Sequence, residues 1–322
     1  MAADLVFRGG TVLTGSRKDP ITDRIAVADG LIVAVGADCD ADGLVGSATT
    51  VVDLAGGALL PGFADGHMHP LLGGIGLLGA DVRFATTIED MLAAVAAWAQ
   101  SHPDAEWVVG DAFDPTLAAE GRFDARWLDR VVPNRPVALR TMDYHTLWVN
   151  SEALRRAGID ASTAEPADGQ IVRRTDGSPL GTLREWGAIK PVLELLPSTP
   201  LDQQVTALAD VTGRFAAAGI TWVQDAMVEP HHLPAWLAAA AADRLKVRAN
   251  LGFSAEPGTW YDSLGGFVDM RTRVAAEASQ WLTARTIKFF ADGVIEAGTA
   301  ALLEPYADCP HSHGMANWSS RS

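Results

Sequence analysis

Leu59-Leu-Pro-Gly-Phe-Ala-Asp-Gly-His-Met-His-Pro70 is the segment on which the reading of this chain turns. In a β-strand, side chains alternate between two faces. Asp65, His67 and His69 therefore project one way, and Gly66 and Met68 the other. Two imidazoles at i and i+2 near a strand's end can close on one divalent metal. If that strand belongs to a barrel of alternating strands and helices, its C-terminal mouth is where active sites sit. Spacing alone leaves chance in play, because the chain has eight histidines. A second His-x-His, His311-Ser-His313, lies in a Pro/Ser/Gly-rich tail with no evident scaffold and is assigned to chance. Around His67 and His69 the context differs: an apolar strand, Pro61-Gly62 before it and Pro70 after it.

Upstream, the pattern is that of β-structure. Leu5 to Phe7 and Thr11 to Leu13 flank Gly9-Gly10, and Val51 to Leu54 and Ala58 to Leu60 flank Gly56-Gly57. Arg24 to Ala28 and Leu31 to Val35 flank Asp29-Gly30, a hairpin signal, because a type I′ turn needs positive φ at both central residues. Downstream, strands alternate with helices. Thr86-x-x-Glu89 has the form of a capping box, with Ile88, Met91, Leu92, Val95 and Trp98 following at helical spacing. Leu201 to Ala218 predicts a helix closed by Gly219 and running into a strand at Ile220 to Asp225. Pro234 to Ala242 predicts a helix leading to a strand at Val247 to Phe253, and Thr286 to Ala291 a further strand. Such alternation implies a parallel α/β sheet or barrel. Residues 85–199 interrupt the rhythm with strand-like runs at Trp107 to Gly110 and Val137 to Arg140 and a polar stretch around Glu165 to Ser178.

Composition narrows the function classes. The chain has 322 residues, is 48% hydrophobic and 20% charged, and carries a net charge of −15. That balance is typical of a soluble globular protein. Strong negative charge argues against nucleic acid or an anionic membrane as partner. The start lacks the basic and apolar regions of a secretory signal, and no stretch of about 20 apolar residues predicts a membrane span. Two distant cysteines, Cys39 and Cys309, make neither a disulfide framework nor a zinc-type pair. A cytoplasmic setting with free thiols is the expectation. Gly74-Ile-Gly-Leu-Leu-Gly79 fits G-x-G-x-x-G, but a dinucleotide site needs it in the turn right after a first strand, with an acid about 20 residues on. Ala99 and Gln100 stand there, so the segment is read as a flexible loop over the barrel mouth.

The Pro-Gly-Phe-x-Asp-x-His-x-His segment, preceded by a short β-unit, is similar to the first-strand signature of the amidohydrolase superfamily. More closely, the chain resembles the amidohydrolase family 3 branch, which includes exoenzyme regulatory protein-like hydrolases and N-substituted formamide deformylases. Trp107-Val-Val-Gly110, Asp143-Tyr-His145 with Trp148-Val-Asn150, Gly181-Thr-Leu-Arg-Glu185, Gly219-Ile-Thr-Trp-Val-Gln-Asp225 and Ile287-Lys-Phe-Phe-Ala-Asp-Gly293 match that branch, as does Ala301-Leu-Leu-Glu-Pro-Tyr306. The resemblance implies an α/β fold: an incomplete TIM-like (β/α) barrel with a small N-terminal β-sheet unit and an α+β insertion. It divides the chain into a β-unit at residues 1–60, a partial barrel at 61–84 and 200–310, the insertion at 85–199 and a tail at 311–322. It implies hydrolysis of a carbon–nitrogen bond other than a peptide bond in an amide-like small molecule, with one or two divalent ions, zinc by preference. His67 and His69 become metal ligands, and Lys288 a further ligand, carbamylated and bridging two metals. Asp65 orients the imidazoles or the neighbouring loop. His145, Trp148, Asn150, Glu185 and Asp225 line the substrate site.

Physical chemistry keeps alternatives open at several of these positions. A lysine facing a barrel interior must pair, lose its proton or be modified, since an unpaired buried ammonium costs several kcal/mol. Pairing with Asp292 or snorkelling to solvent would satisfy Lys288 equally well. Asp225 ends a strand, where a helix-capping Asp looks the same in sequence. His145 beside a tryptophan is also compatible with packing. A complete barrel takes about 250 residues before insertions, whereas only residues 289–322 follow Lys288. The resemblance therefore implies C-terminal truncation, without the later-strand histidines and aspartate, and leaves a non-catalytic remnant with weak metal binding as the alternative.

Overall fold

The computed structural model describes residues 2–166, 169–293, 295, 300–307 and 310–318. Cys309 lies outside them. The chain separates into two compact units, one formed by Met1–Ala64 with Gly219–Trp222, the other by Asp65–Ala218 with Val223–Ser322.

The first unit begins with strands β1 (Leu5–Arg8), β2 (Thr11–Leu13), β3 (Ile21–Thr22), β4 (Ile25–Ala28), β5 (Leu31–Val35), β6 (Thr50–Asp53) and β7 (Ala58–Leu59). They form a four-stranded sheet in the order β5-β4-β1-β6 and a three-stranded sheet in the order β3-β2-β7. The β4–β5 hairpin turns on Asp29 (φ 50°) and Gly30 (φ 73°), the two positive angles a type I′ turn requires. Val6, Ala26 and the free thiol Cys39 are buried together in a small core of this unit.

Strand β8 (Phe63–Met68) carries the His-x-His segment and is followed at once by helix α1 (Pro70–Gly76). Pro70 at the first helical position explains the abrupt switch, because its fixed φ suits a helix start and its missing N–H costs no bond there. The glycine-rich segment is therefore a helix up to Gly76, and not the flexible loop that composition implied. Its glycines permit close packing: a Cβ on Gly74 would stand 2.8 Å from the Ala207 carbonyl oxygen, and one on Gly79 2.5 Å from that of Val109.

Helix α2 (Ile88–Ser101) starts one residue later than the Thr86-x-x-Glu89 pattern implies. Thr87 is the N-cap and accepts from the Asp90 N–H, while the Asp90 carboxylate accepts from the Thr86 N–H and hydroxyl. Then come β9 (Val108–Phe113), α3 (Ala125–Asp129), β10 (Val137–Thr141), β11 (Thr146–Val149), α4 (Ser151–Arg156), β12 (Gln170–Arg173), β13 (Pro179–Arg184) and α5 (Glu185–Leu193). The five strands make one sheet in the order β12-β13-β11-β10-β9. Its core includes an aromatic cluster in which Phe113, Phe123 and Trp148 are wholly buried, with ring centroids 5.0–6.2 Å apart.

The strand–helix rhythm resumes with α6 (Leu201–Ala217), β14 (Ile220–Val228), α7 (Leu233–Ala241), β15 (Arg248–Ala255), α8 (Trp260–Glu277) and β16 (Leu282–Phe289). Gly219, at φ 81°, makes the turn between α6 and β14. Strands β8, β14, β15 and β16 lie side by side in chain order, and β15 and β16 are parallel. Four sequential strands joined by helices are half of a (β/α) barrel: the fold is α/β, an open, incomplete TIM-like barrel. Strand β16 forms one edge, with Ile287 and Phe289 exposed. A polar ladder crosses three of the strands. The Asn250 amide donates to Gln224 Oε1 and to the Thr286 hydroxyl, each at 2.8 Å, and its carbonyl accepts from Thr283 at 2.7 Å. No helix among the described residues is long and apolar enough to cross a membrane.

Because α1 follows His69 directly, its seating on α6 fixes where the imidazole begins. Gly74→Ala should destabilise the protein by roughly 1–3 kcal/mol through overpacking. Gly73→Ala, which would meet nothing within 4 Å, should be neutral or stabilising by up to about 1 kcal/mol, the helix-propensity gain. Denaturant unfolding of the two variants checks this, and equal effects would refute the packing argument.

Candidate functional site

His67 leaves the end of β8, and His69 is the N-cap residue of α1. The alternation expected from the sequence brings their rings together edge to face, with centroids 5.4 Å apart. Asp65 accepts from the His67 backbone N–H at 2.9 Å, so its carboxylate fixes the backbone leading into His67. Lys288 lies near the end of β16 with its ammonium 4.8 Å from the centroid of the Phe290 ring, a cation–π contact. Asp292 does not take up Lys288; its carboxylate accepts from the Ala301 N–H. Partial burial, followed by the charges of Lys288 and His69, holds the His67 imidazole below its ordinary pKa. The neutral ring this favours is the form that ligates a metal.

Asp225 stands near the C-terminal end of β14 and is only 2% exposed. Its Oδ1 lies 3.6 Å from His69 Nδ1, beyond hydrogen-bond length, and accepts from the Met227 N–H at 3.3 Å. Burial pushes the carboxyl above the usual range, against the pull of His69 and the Met227 N–H. So deep a carboxylate has no face to offer a substrate; it faces a candidate metal ligand instead.

The other residues singled out in the sequence form a separate group on the five-stranded sheet. His145 Nδ1 and Glu185 Oε2 are 2.8 Å apart and partly exposed. Tyr144 (φ 65°) and Glu185 (φ 61°) both occupy the left-handed region, a strained conformation for residues with side chains that is frequent at functional sites. Arg140 is stacked between the Tyr144 and Trp186 rings, at 4.6 and 5.3 Å from their centroids. Trp148 and Asn150, in contrast, are fully buried. The Trp148 indole donates to the Asp124 carbonyl. Asn150 caps α4 and spends its amide on Val137, Ala153, Val132 and Arg135. Both are structural residues with no polar atom left for a ligand, which corrects their placement in a substrate pocket. No hydrogen bond or ion pair among the described residues links the His145–Glu185 pair to His67 or His69.

Sequence reasoning missed a second polar group following β14 and β15. His232 is 8% exposed, its Nδ1 accepts from the Glu229 N–H at 3.2 Å, and its ring lies 4.1 Å from that of His231. Ser254 and Glu256 are 3.3 Å apart on the neighbouring strand's end. The signal was present: His231-His232 follows a strand within four residues, where barrel loops carry function.

Among the described residues no set of three His, Cys, Asp or Glu side chains converges as a metal site. His67 and His69 fit two positions of a divalent centre: two adjacent imidazoles, with that of His67 held below its ordinary pKa and so favoured in the neutral, ligating form.

His232 offers a pH test of the strand ends. Burial, with a smaller contribution from His231, pushes its imidazole down to about 4. The unfolded chain takes up that proton near pH 6.5, the folded chain only near pH 4, so stability is lost as pH falls between the two, by about 3 kcal/mol. In His232→Asn that part of the pH dependence should vanish from urea-unfolding curves; identical slopes in both proteins would refute it.

Comparison with known proteins adds four findings. An amidohydrolase family model matches residues 50–321. Protein LONG AFTER FAR-RED 3 of Arabidopsis thaliana is 27% identical over 325 residues, covering 98% of this chain and 54% of that protein. An N-substituted formamide deformylase of Arthrobacter pascens is 28% identical over 330 residues, covering 99% of this chain and 59% of that protein. An uncharacterized metal-dependent hydrolase from Pyrococcus horikoshii superposes with a TM-score of 0.70 at 17% identity, over 98% of this chain and 60% of that one. The chain thus spans little more than half the length of these relatives.

Proposed function

The chain belongs to the amidohydrolase family, and from that premise we propose that it carries the first half of a metal-dependent hydrolase site for carbon–nitrogen bonds, other than peptide bonds, in amide-like small molecules. The observation that carries the proposal is the edge-on pair His67–His69 at the C-terminal end of the first barrel strand. The formamide deformylase named above supports the choice of bond, and the pair of nitrogen ligands supports zinc over harder ions such as magnesium or calcium.

In this reading His67 and His69 would hold the ion, and Asp65 would steady the backbone at His67. Lys288, once carbamylated by carbon dioxide with loss of a proton, would serve as a further oxygen ligand. A divalent metal at this position would polarise the substrate carbonyl and supply an activated water at neutral pH. His145 and Glu185 are the residues we assign to substrate contact, because they remain partly exposed while Trp148 and Asn150 do not. A second reading, a chain that binds metal weakly and does not catalyse, draws on the fact that no set of three His, Cys, Asp or Glu side chains converges as a metal site among the described residues.

The test is metal content and turnover of the purified chain, dialysed against zinc and offered a panel of N-substituted formamides and simple amides. The expected result is one or two ions per chain and release of amine. His67→Ala should weaken zinc binding by at least about 100-fold, since loss of an outer-shell partner alone costs about 10–100-fold. Metal content and turnover unchanged by His67→Ala would overturn the assignment. Weak binding without hydrolysis would favour the second reading.

A further inference from the structure

Two of the four buried side-chain polar atoms without a hydrogen-bond partner among the described residues are His69 Nδ1 and Trp236 Nε1. Both border the same group, the carboxylate of Asp225. Trp236, on α7, is wholly buried, and Asp225 is 2% exposed. An unpaired buried donor costs about 1–3 kcal/mol, and here two of them face one acceptor whose only backbone bond among the described residues is a long one, 3.3 Å from Met227 N.

We propose that Asp225 is a positioning residue for His69, with Trp236 holding the carboxylate from α7. Asp225 accepts from the His69 Nδ1–H and so fixes the ring in the tautomer whose Nε2 carries the lone pair. His69 then presents Nε2, never Nδ1, to an ion. An indole N–H can only donate, so toward Trp236 the carboxylate acts as acceptor. The 3.6 Å separation is a small closure away from hydrogen-bond length. Asp225 acts through His69 and touches neither substrate nor ion.

The purpose of the arrangement rests on the metal-site reading above, but the tautomer does not, and this separates the two in experiment. The full chain, labelled with ¹⁵N at its eight histidines, is examined without metal by long-range ¹⁵N–¹H correlation, with His69 assigned by His69→Gln. We expect His69 as the Nδ1–H tautomer in the wild type and a mixture favouring Nε2–H in Asp225→Leu. Zinc affinity, read by competition with a chromogenic chelator, should fall about 10–100-fold in Asp225→Asn and remain close to wild type in Trp236→Phe, with His69 less uniformly Nδ1–H in the latter. If Asp225→Leu fails to fold, Asp225→Asn reports on both observables. A wild-type His69 already in the Nε2–H form, or a tautomer and zinc affinity indifferent to position 225, overturns the proposal. A tautomer set by Asp225 in a chain that binds no zinc upholds the positioning and instead removes the metal-site reading.

Discussion

The lateral association of β8 with β14 is the constraint on which the rest of the site depends. Strand β8 delivers His67 and His69 through its two-residue period. That period says nothing about what meets them from the side. The neighbouring strand decides this, and β14 brings Asp225 to within 3.6 Å of His69 Nδ1. A buried carboxylate beside an imidazole restrains its ring orientation far more tightly than the strand backbone can. The same association begins at the strand bases, where the Phe63 N–H donates to the Gly219 carbonyl. Glycine is required there by its φ of 81°, so the turn that ends α6 also sets the register of the pair.

The polar ladder of Gln224, Asn250, Thr283 and Thr286 extends this logic across the sheet. Parallel strands joined by helices have no hairpin to fix their register, and apolar side chains tolerate sliding better than hydrogen bonds do. Asn250 uses both ends of its amide on β14 and β16 partners, which places Lys288 two residues beyond Thr286 on the same face. The electrostatic consequence reaches back to β8: the Lys288 ammonium helps hold His67 neutral. If the lysine is carbamylated its charge reverses and that particular effect is lost, while ligation by a thiol-free, imidazole–carboxylate set is gained. Burial, the first cause of the His67 shift, is unaffected by the state of that lysine.

Much of this was legible in the sequence, for reasons that differ by element. The Asp29-Gly30 turn was readable because its conformation is local, and φ values of 50° and 73° follow from the residues themselves. The His67–His69 pair was readable because strand alternation is local as well. Helix α1 was not: seven residues rich in glycine have poor intrinsic helicity, and the helix exists because those glycines let it approach α6. Helix α8 carries Gly265-Gly266 and Tyr261, Val268 and Leu264 on its exposed side, which hides its apolar stripe of Phe267, Met270 and Val274. The final strand begins four residues before the expected Thr286, at Leu282, because Arg285 interrupts the apolar run.

Trp148 and Asn150 show where motif resemblance stops being informative about role. A motif records that a residue is needed, and burial decides what it is needed for. Asn150 ties β10 and the loop before it to the start of α4 with its amide hydrogen bonds, and Trp148 fills the core beneath the same sheet. Neighbouring His145 and Glu185 sit on the other side of that distinction: partly exposed and paired with each other, with Tyr144 and Glu185 itself at positive φ. A backbone held against its preference must be compensated by surrounding contacts. Here the Tyr144 N–H donates to the Thr141 carbonyl and the Glu185 N–H to the His145 carbonyl, so each of the two strained residues is tied by its own backbone to the sheet.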